Sequence, residues 1–174
     1  MLNNEIVIGT VVATGAALNV ELGFKPDKVK IINETTSITL EWYRTMGAAK
    51  GHKTLAAGTK SFIAANGVTQ FDGEAPGLQL AGTGATTAGS ATLTGSGTAF
   101  NTKLRVGDMI LVNGELRKVT AIASATSLTV DAAFVNTVAA ANVYRQTGRA
   151  AGFTLGTDSI NTDTNVLHYE AHRS

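Results

Sequence analysis

The chain has 174 residues, a formal net charge of +1, 44% hydrophobic residues, 16% charged residues, 19 glycines and no cysteine. These values exclude a disulfide framework, a thiolate metal site and a cysteine nucleophile. They also disfavour a protein that tracks nucleic-acid phosphates, which needs an excess of basic residues. No stretch of about 20 apolar residues could cross a bilayer, and the N-terminus lacks the basic region of a signal peptide. We therefore expect a soluble, unprocessed chain.

The first part of the chain has the alternating pattern of β-strands. Glu5–Val12 predicts a strand and Ala17–Leu22 its hairpin partner. Lys28–Asn33 and Ser37–Tyr43 predict two further strands, each with apolar residues at every second position. Short side chains supply most of the hydrophobic fraction, and this composition favours closely packed strands with many turns over long amphipathic helices.

The middle of the chain changes in composition. Residues 75–90 are mostly Gly, Ala and Thr, which predicts a linker or a surface segment. Asn113-Gly114 then predicts a two-residue type I′ hairpin turn. Five short strands in about 60 residues predict a small β-barrel. These strands are Ala91–Thr94, Asp108–Val112, Leu116–Ala123, Ser127–Val130 and Asn142–Arg145.

Two further predicted strands lie near the C-terminus, at Gly152–Gly156 and Asn165–Ala171. A lone pair of strands is not stable by itself, so we expect this pair to return to the first part of the chain and complete its sheet. The expected fold is all-β. Residues 1–84 and 148–174 would form a discontinuous, antiparallel, jelly-roll-like β-sandwich, and residues 85–147 an inserted small β-barrel.

Candidate sites for chemistry are few. His168 and His172 have the i, i+4 spacing of a helical metal pair, but their segment alternates like a strand and lacks the glutamate of an H-E-x-x-H motif. Asp158, Asn161 and Asp163 cluster oxygen atoms without the spacing of an EF-hand. A turn that hydrogen-bonds its own backbone explains them more simply. We therefore expect no catalytic residue, no cofactor and no metal.

Trp42 and Tyr43 are adjacent in a predicted strand and therefore point to opposite faces of it. Two interpretations stay open. One is a core anchor beside an exposed aromatic residue. The other is a sugar-stacking platform or an interface anchor, because aromatic side chains carry much of the energy at interfaces.

Three segments from the ends of the chain form a combined pattern, namely Leu22–Asn33 (LGFKPDKVKIIN), Gly152–Asn161 (GFTLGTDSIN) and Val166–Ala171 (VLHYEA). The combination resembles structural proteins of tailed bacteriophages. In those proteins a G-F-x-P-d-x-V strand is paired with a closing glycine-rich turn and a final h-Y-x-A strand. The middle is similar to small β-barrel units carried on virion proteins, through Gly95–Phe100, Leu104–Glu115, Val119–Ile122 and Ser127–Val130.

The resemblance implies a virion component, and the short chain without fibre-like repeats favours a capsid decoration (cement) protein. Such a protein is made in the host cytoplasm and binds the major capsid protein on the outer surface of the expanded head, here as an expected homotrimer. No nucleic acid or membrane is expected as a partner. The expected capsid or oligomer contacts are Met1, Leu2, Asn3, Asn4, Glu5, Trp42 and Tyr43.

Two other virion roles stay open under the same resemblance. One is a tail- or fibre-associated module that binds a host glycan receptor, with Trp42, Tyr43 or Tyr144 as the stacking surface. The other is a tail-tube or connector component.

Overall fold

The computed structural model describes residues 4–174, which consist mostly of antiparallel β-strands and turns, so the all-β prediction is confirmed. The first six strands are β1 (Glu5–Val12), β2 (Leu18–Glu21), β3 (Lys28–Asn33), β4 (Thr39–Tyr43), β5 (Lys50–Thr54) and β6 (Lys60–Phe71). The next eight are β7 (Leu78–Gln79), β8 (Thr83–Thr86), β9 (Thr92–Ser96), β10 (Met109–Val112), β11 (Glu115–Ser124), β12 (Ser127–Val130), β13 (Val138–Ala141) and β14 (Val143–Arg145). The last two are β15 (Gly152–Leu155) and β16 (Val166–Arg173).

Helical structure in the described part of the chain is limited to two short pieces. They are a 3-10 turn at Arg44–Met46 and the single-turn helix α1 (Phe100–Lys103). No helix within residues 4–174 is long and apolar enough to span a membrane.

The chain divides into two compact units. The first comprises the residues up to Gly73 together with Ala150–Ser174, and the second is Glu74–Arg149. The inserted unit therefore starts at Glu74 and ends at Arg149, whereas the sequence predicts an insertion of residues 85–147. The difference arises because the segment predicted as a linker pairs within the second unit: β7 pairs with β14, and β8 pairs with β9 and β13.

The first unit contains one eight-stranded sheet, the first sheet, in the order β1-β16-β3-β4-β5-β6-β15-β2. β1 pairs with β16 along its whole length, and β2 pairs with β15 at the other end of the sheet. The prediction that β2 is the hairpin partner of β1 is therefore wrong. The two closing strands complete this sheet, as the sequence predicted, and each takes one of the N-terminal strands as a neighbour.

The core of the first unit lies on one face of the first sheet. Buried and more exposed residues alternate along β3 and β4, so that Ile31, Leu40 and Trp42 point into the core. The indole Nε1 of Trp42 donates a hydrogen bond to the Gly47 carbonyl oxygen at 2.7 Å, which satisfies its one polar atom. Other strands contribute the buried residues Val20, Val68, Phe153, Leu155, Leu167 and Ala171.

Two buried asparagines fix the loop between β15 and β16. The Asn161 amide donates to the carbonyl oxygens of Ala16 and Gly156, and its oxygen accepts from the backbone N–H of Thr14. Asn33 donates to the carbonyl oxygen of Ile160 at 2.8 Å. Because a buried amide needs partners for its polar atoms, these bonds define the path of the loop.

The second unit is a nearly closed barrel. Its sheet has the order β13-β8-β9-β12-β11-β10-β14-β7, and β13 and β14, which are separated in sequence by Asn142 alone, lie far apart in that order. Because β13 pairs with β8 and the directly following β14 pairs with β10, the sheet curves until it is nearly closed. The interior is filled by Leu80, Leu93, Phe100, Leu104, Ile110, Val112, Val119, Leu128, Val130, Phe134 and Val143.

We predict that the second unit folds by itself. Glu74 and Arg149 exchange two backbone hydrogen bonds, of 2.9 and 2.8 Å, so the ends of the unit are held side by side. The buried guanidinium of Arg145 pairs with Glu74 at 2.5 Å. An excised 74–149 polypeptide should therefore give a β-type circular dichroism spectrum and a cooperative thermal transition.

The reciprocal deletion is the control for this prediction. A short Gly-Ser linker in place of residues 74–149 should leave the first unit folded. Gly73 precedes Glu74 and Ala150 follows Arg149, so the two ends that the linker joins lie close together. Trp42 is the sole tryptophan and lies in the first unit, so its fluorescence reports on that unit alone. An excised barrel that lacks a cooperative transition would contradict the prediction.

Candidate interaction surface

The face of the first sheet that points away from its core is the candidate interaction surface of that unit. We call it the outer face. Residues directly opposite each other in antiparallel strands project from the same face, so the strand register defines rows across it. One row is Ile8, Glu170, Lys30, Glu41, His52 and Phe62. The flanking rows are Ile6, His172, Lys28 and Tyr43, and Thr10, His168, Ile32, Thr39, Thr54 and Lys60.

The rows place the two most exposed apolar side chains at the margins of the outer face, and charged residues together with two further apolar residues between them. Ile8 is 76% exposed on β1, and Phe62 is 69% exposed on β6. Ile32 and Tyr43 are also exposed on the intervening strands. These exposed apolar side chains are the candidate contacts for another protein.

Two histidines on the outer face contact carboxylates. His168 lies 3.1 Å from a carboxylate oxygen of Glu34, and His172 hydrogen-bonds Glu170. The bond from His172 lowers the pKa of the Glu170 carboxyl group, with smaller contributions from nearby lysines. Glu170 is therefore ionised at neutral pH, and the face carries both carboxylates and lysines.

A shallow depression of about 160 Å³ lies within this face, lined by Ile8, Lys30, Ile32, His168, Tyr169 and Glu170. Its lining includes two isoleucines and a tyrosine, so it suits a side chain of a protein partner better than a charged small molecule.

A second, larger depression of about 500 Å³ in the first unit is polar. The guanidinium of Arg44 pairs with Asp27 at 2.9 Å, and the amine of Lys25 pairs with Asp72 at 2.7 Å. The backbone N–H of Ser174 donates to Asp27 and lowers the pKa of its carboxyl group. With its charges already paired inside the unit, this depression offers polar contact rather than a free charge.

The residues expected to contact a partner fall into three groups. Met1, Leu2 and Asn3 lie outside the described residues. Asn4 is exposed and Glu5 is half-buried, beside Arg173 at 3.5 Å. Tyr43 is 39% exposed on the outer face, with the Lys28 amine 5.8 Å from its ring centre.

The expectation that Trp42 contacts a partner is wrong. Its side chain is only 2% exposed, because its position in β4 turns it into the core. It therefore cannot contact a capsid or stack on a sugar without unfolding of the unit, and it is the core anchor of the pair. A glycan-stacking role would have to use Tyr43 or the half-buried Tyr144.

The side chains considered for metal or calcium binding are placed by the structure in a strand and in a turn. His168 and His172 lie on one strand, where residues four apart are separated by about 13 Å, too far to share an ion. Asp158 accepts from the backbone N–H of Ile160 and pairs with Lys53, as a self-bonding turn requires. No group of three or more His, Asp or Glu within residues 4–174 is arranged to hold a metal ion.

Sequence reasoning missed the strands β5 and β6, and with them Phe62. This region is rich in Lys, Ala and Gly and has no clear alternation, and Asn66 adopts a positive φ of 61° within β6. The one available signal was Phe62 itself, a large apolar residue between polar and small residues.

The chain was compared with known proteins in three ways: no family model matches it, and neither a curated protein nor a solved structure with significant similarity was found.

Proposed function

We propose that this chain is a decoration protein of a tailed-bacteriophage capsid. It would bind the major capsid protein on the outer surface of the expanded head and bridge neighbouring capsomers, as a homotrimer. The observation that carries the proposal is the outer face, a broad strand-supported surface with exposed Ile8, Ile32, Tyr43 and Phe62. The resemblance of both ends and of the middle of the chain to virion proteins supports it.

The outer face suits a stabilising contact on physical grounds. Its side chains are held by a sheet whose opposite face is packed, so little backbone entropy is lost on binding. An ordinary specific interface buries about 1,600 Å² in total, and several copies on one particle add avidity. Contacts across a seam between capsomers would then oppose the internal pressure of packed DNA.

The decisive experiment is co-sedimentation of the purified protein with phage heads. Expanded shells should carry the protein into the pellet, and immature shells should bind it poorly because the seam is not yet formed. Shells treated with the protein should also resist heating better than bare shells. Failure to bind expanded shells would overturn the proposal.

A substitution in the middle of the outer face tests which surface makes the contact. Ile32→Glu should weaken shell binding at least tenfold, about 1.4 kcal/mol, since it puts a charge where an apolar side chain would be buried. Val135→Glu is the matched control, because Val135 is 72% exposed but belongs to the second unit. Equal losses for both variants would show that the outer face is not the contact.

A further inference from the structure

The first sheet has two long strand edges with no backbone partner among the described residues. β1 pairs only with β16, which leaves the other side of Glu5–Val12 open. The first half of β6 pairs only with β5, because β15 joins β6 only from Val68 onward. Open edges of this length are sites at which a further strand can add.

The two edges have the relative direction that pairing requires. Every neighbouring pair from β1 through β16, β3, β4 and β5 to β6 is antiparallel. Five antiparallel steps separate β1 from β6, so the two strands run in opposite directions. The β6 edge of one copy can therefore pair antiparallel with the β1 edge of another, and the sheet continues in the same manner.

The side chains on the two edges also match. Ile8 and Phe62 are the two ends of a single row on the outer face, and continuing that row into a second copy puts them opposite each other. The same register sets Ile63 opposite Val7 and Ala64 opposite Ile6, so each opposed pair in the centre is apolar. Cross-strand pairs of this type stabilise a sheet.

Charge does not oppose this arrangement, because in this register Glu5 lies opposite Ala65 and Lys60 lies opposite Thr10, so no like charges meet. The only charged side chains in the two segments, Glu5–Val12 and residues 60–65, are Glu5 and Lys60, which have opposite signs. Pairing of β1 with β1 in a symmetric dimer would leave the apolar β6 edge of each copy open. Head-to-tail pairing covers both the β1 edge and the β6 edge of each copy, and a head-to-tail contact that closes produces a ring in which neither of these edges is free.

We propose that copies of this chain associate head to tail, with β1 of one copy paired antiparallel to residues 60–65 of β6 in the next. The partner at both edges is a second copy of the chain. A ring of three copies rests on the proposed function, whereas the strand pairing itself does not. The ring joins the outer faces of its copies, and Ile8 and Phe62 meet at each junction.

Cysteine cross-linking tests the pairing, because the native chain has no cysteine. A chain carrying both Ile8→Cys and Phe62→Cys, treated with a short bifunctional thiol reagent, should give covalent dimers and trimers on a denaturing gel. An equal mixture of the two single variants should give dimers only. Cross-linking of Ile8→Cys alone to the same extent would show symmetric β1 pairing and overturn the proposal, as would the absence of cross-links.

Measurement of mass in solution gives an independent test. The native protein should sediment as an oligomer, and Ile8→Lys should weaken its association at least tenfold, because a lysine replaces an apolar contact at the edge. Val135→Lys is the matched control, since Val135 is about as exposed as Ile8. Circular dichroism establishes that each variant is folded. A monomeric native protein, or an Ile8→Lys variant that remains fully oligomeric, would overturn the proposal.

The two proposals fail separately. An oligomer that ignores expanded shells contradicts the decoration function and leaves the strand pairing intact. A monomer that binds expanded shells contradicts the strand pairing and leaves the function intact.

Discussion

Replacing Trp42 by alanine is expected to lower the free energy of unfolding of the first unit by about 3–5 kcal/mol. The indole is 2% exposed and packs in the core with Leu40 and Ile31. Its removal leaves a cavity that the surrounding strands cannot fill, and it also leaves the Gly47 carbonyl oxygen without its donor. Urea unfolding followed by far-UV circular dichroism measures the loss, since the variant has no tryptophan fluorescence.

The neighbouring residue provides the control. Tyr43→Ala removes an aromatic side chain from the adjacent position of the same strand, but that side chain is 39% exposed on the outer face. We expect a loss of about 1 kcal/mol or less, which includes the contact with the Lys28 amine. Equal losses for the two variants would contradict the assignment of Trp42 to the core and Tyr43 to the surface.

The second large effect is expected at the buried ion pair of the second unit. The guanidinium of Arg149 makes two hydrogen bonds to Asp108, of 2.8 and 2.6 Å, and the two side chains are 8% and 4% exposed. Arg149→Met removes both of these hydrogen bonds and the adjacent positive charge from the buried Asp108 carboxylate. Losses of about 3–5 kcal/mol are usual when one partner of a buried pair is removed.

Two further variants separate this charge effect from a loss of packing. Adding Asp108→Asn to Arg149→Met should recover part of the stability, because the buried carboxylate charge is then removed as well. Lys25→Met breaks the exposed pair with Asp72, whose side chains are 50% and 81% exposed, and should cost less than about 1 kcal/mol. The proposed arrangement would be wrong if Arg149→Met were no more harmful than Lys25→Met.

Strand prediction from the sequence succeeded where alternation and turn chemistry agree. The bounds predicted for the third strand, Lys28–Asn33, are those of β3. The Asn113-Gly114 turn joins β10 to β11, with a positive φ at both residues, as the type I′ prediction requires. These signals are local, since each depends on a few neighbouring side chains and on the backbone angles that they permit.

Prediction failed where a strand owes its existence to distant neighbours. Residues 75–90 have the composition of a linker, yet β8 forms because it packs between β9 and β13. Gly84 lies within that strand, and a Cβ at this position would approach Leu93 and Val143 to less than 3 Å. The glycine there allows close packing in the barrel, and local propensity contains no information about that contact.

The sequence by itself determined that this is an all-β protein with two strand-rich parts, one of them inserted in the other, because periodicity and turn residues act over a few positions. Only the tertiary structure decided which strands are neighbours, and with that which residues share a surface. β1 pairs with β16 rather than with β2, and Phe62 lies in one row with Ile8. Such choices depend on the burial of apolar area between residues far apart in the chain, which no local pattern specifies.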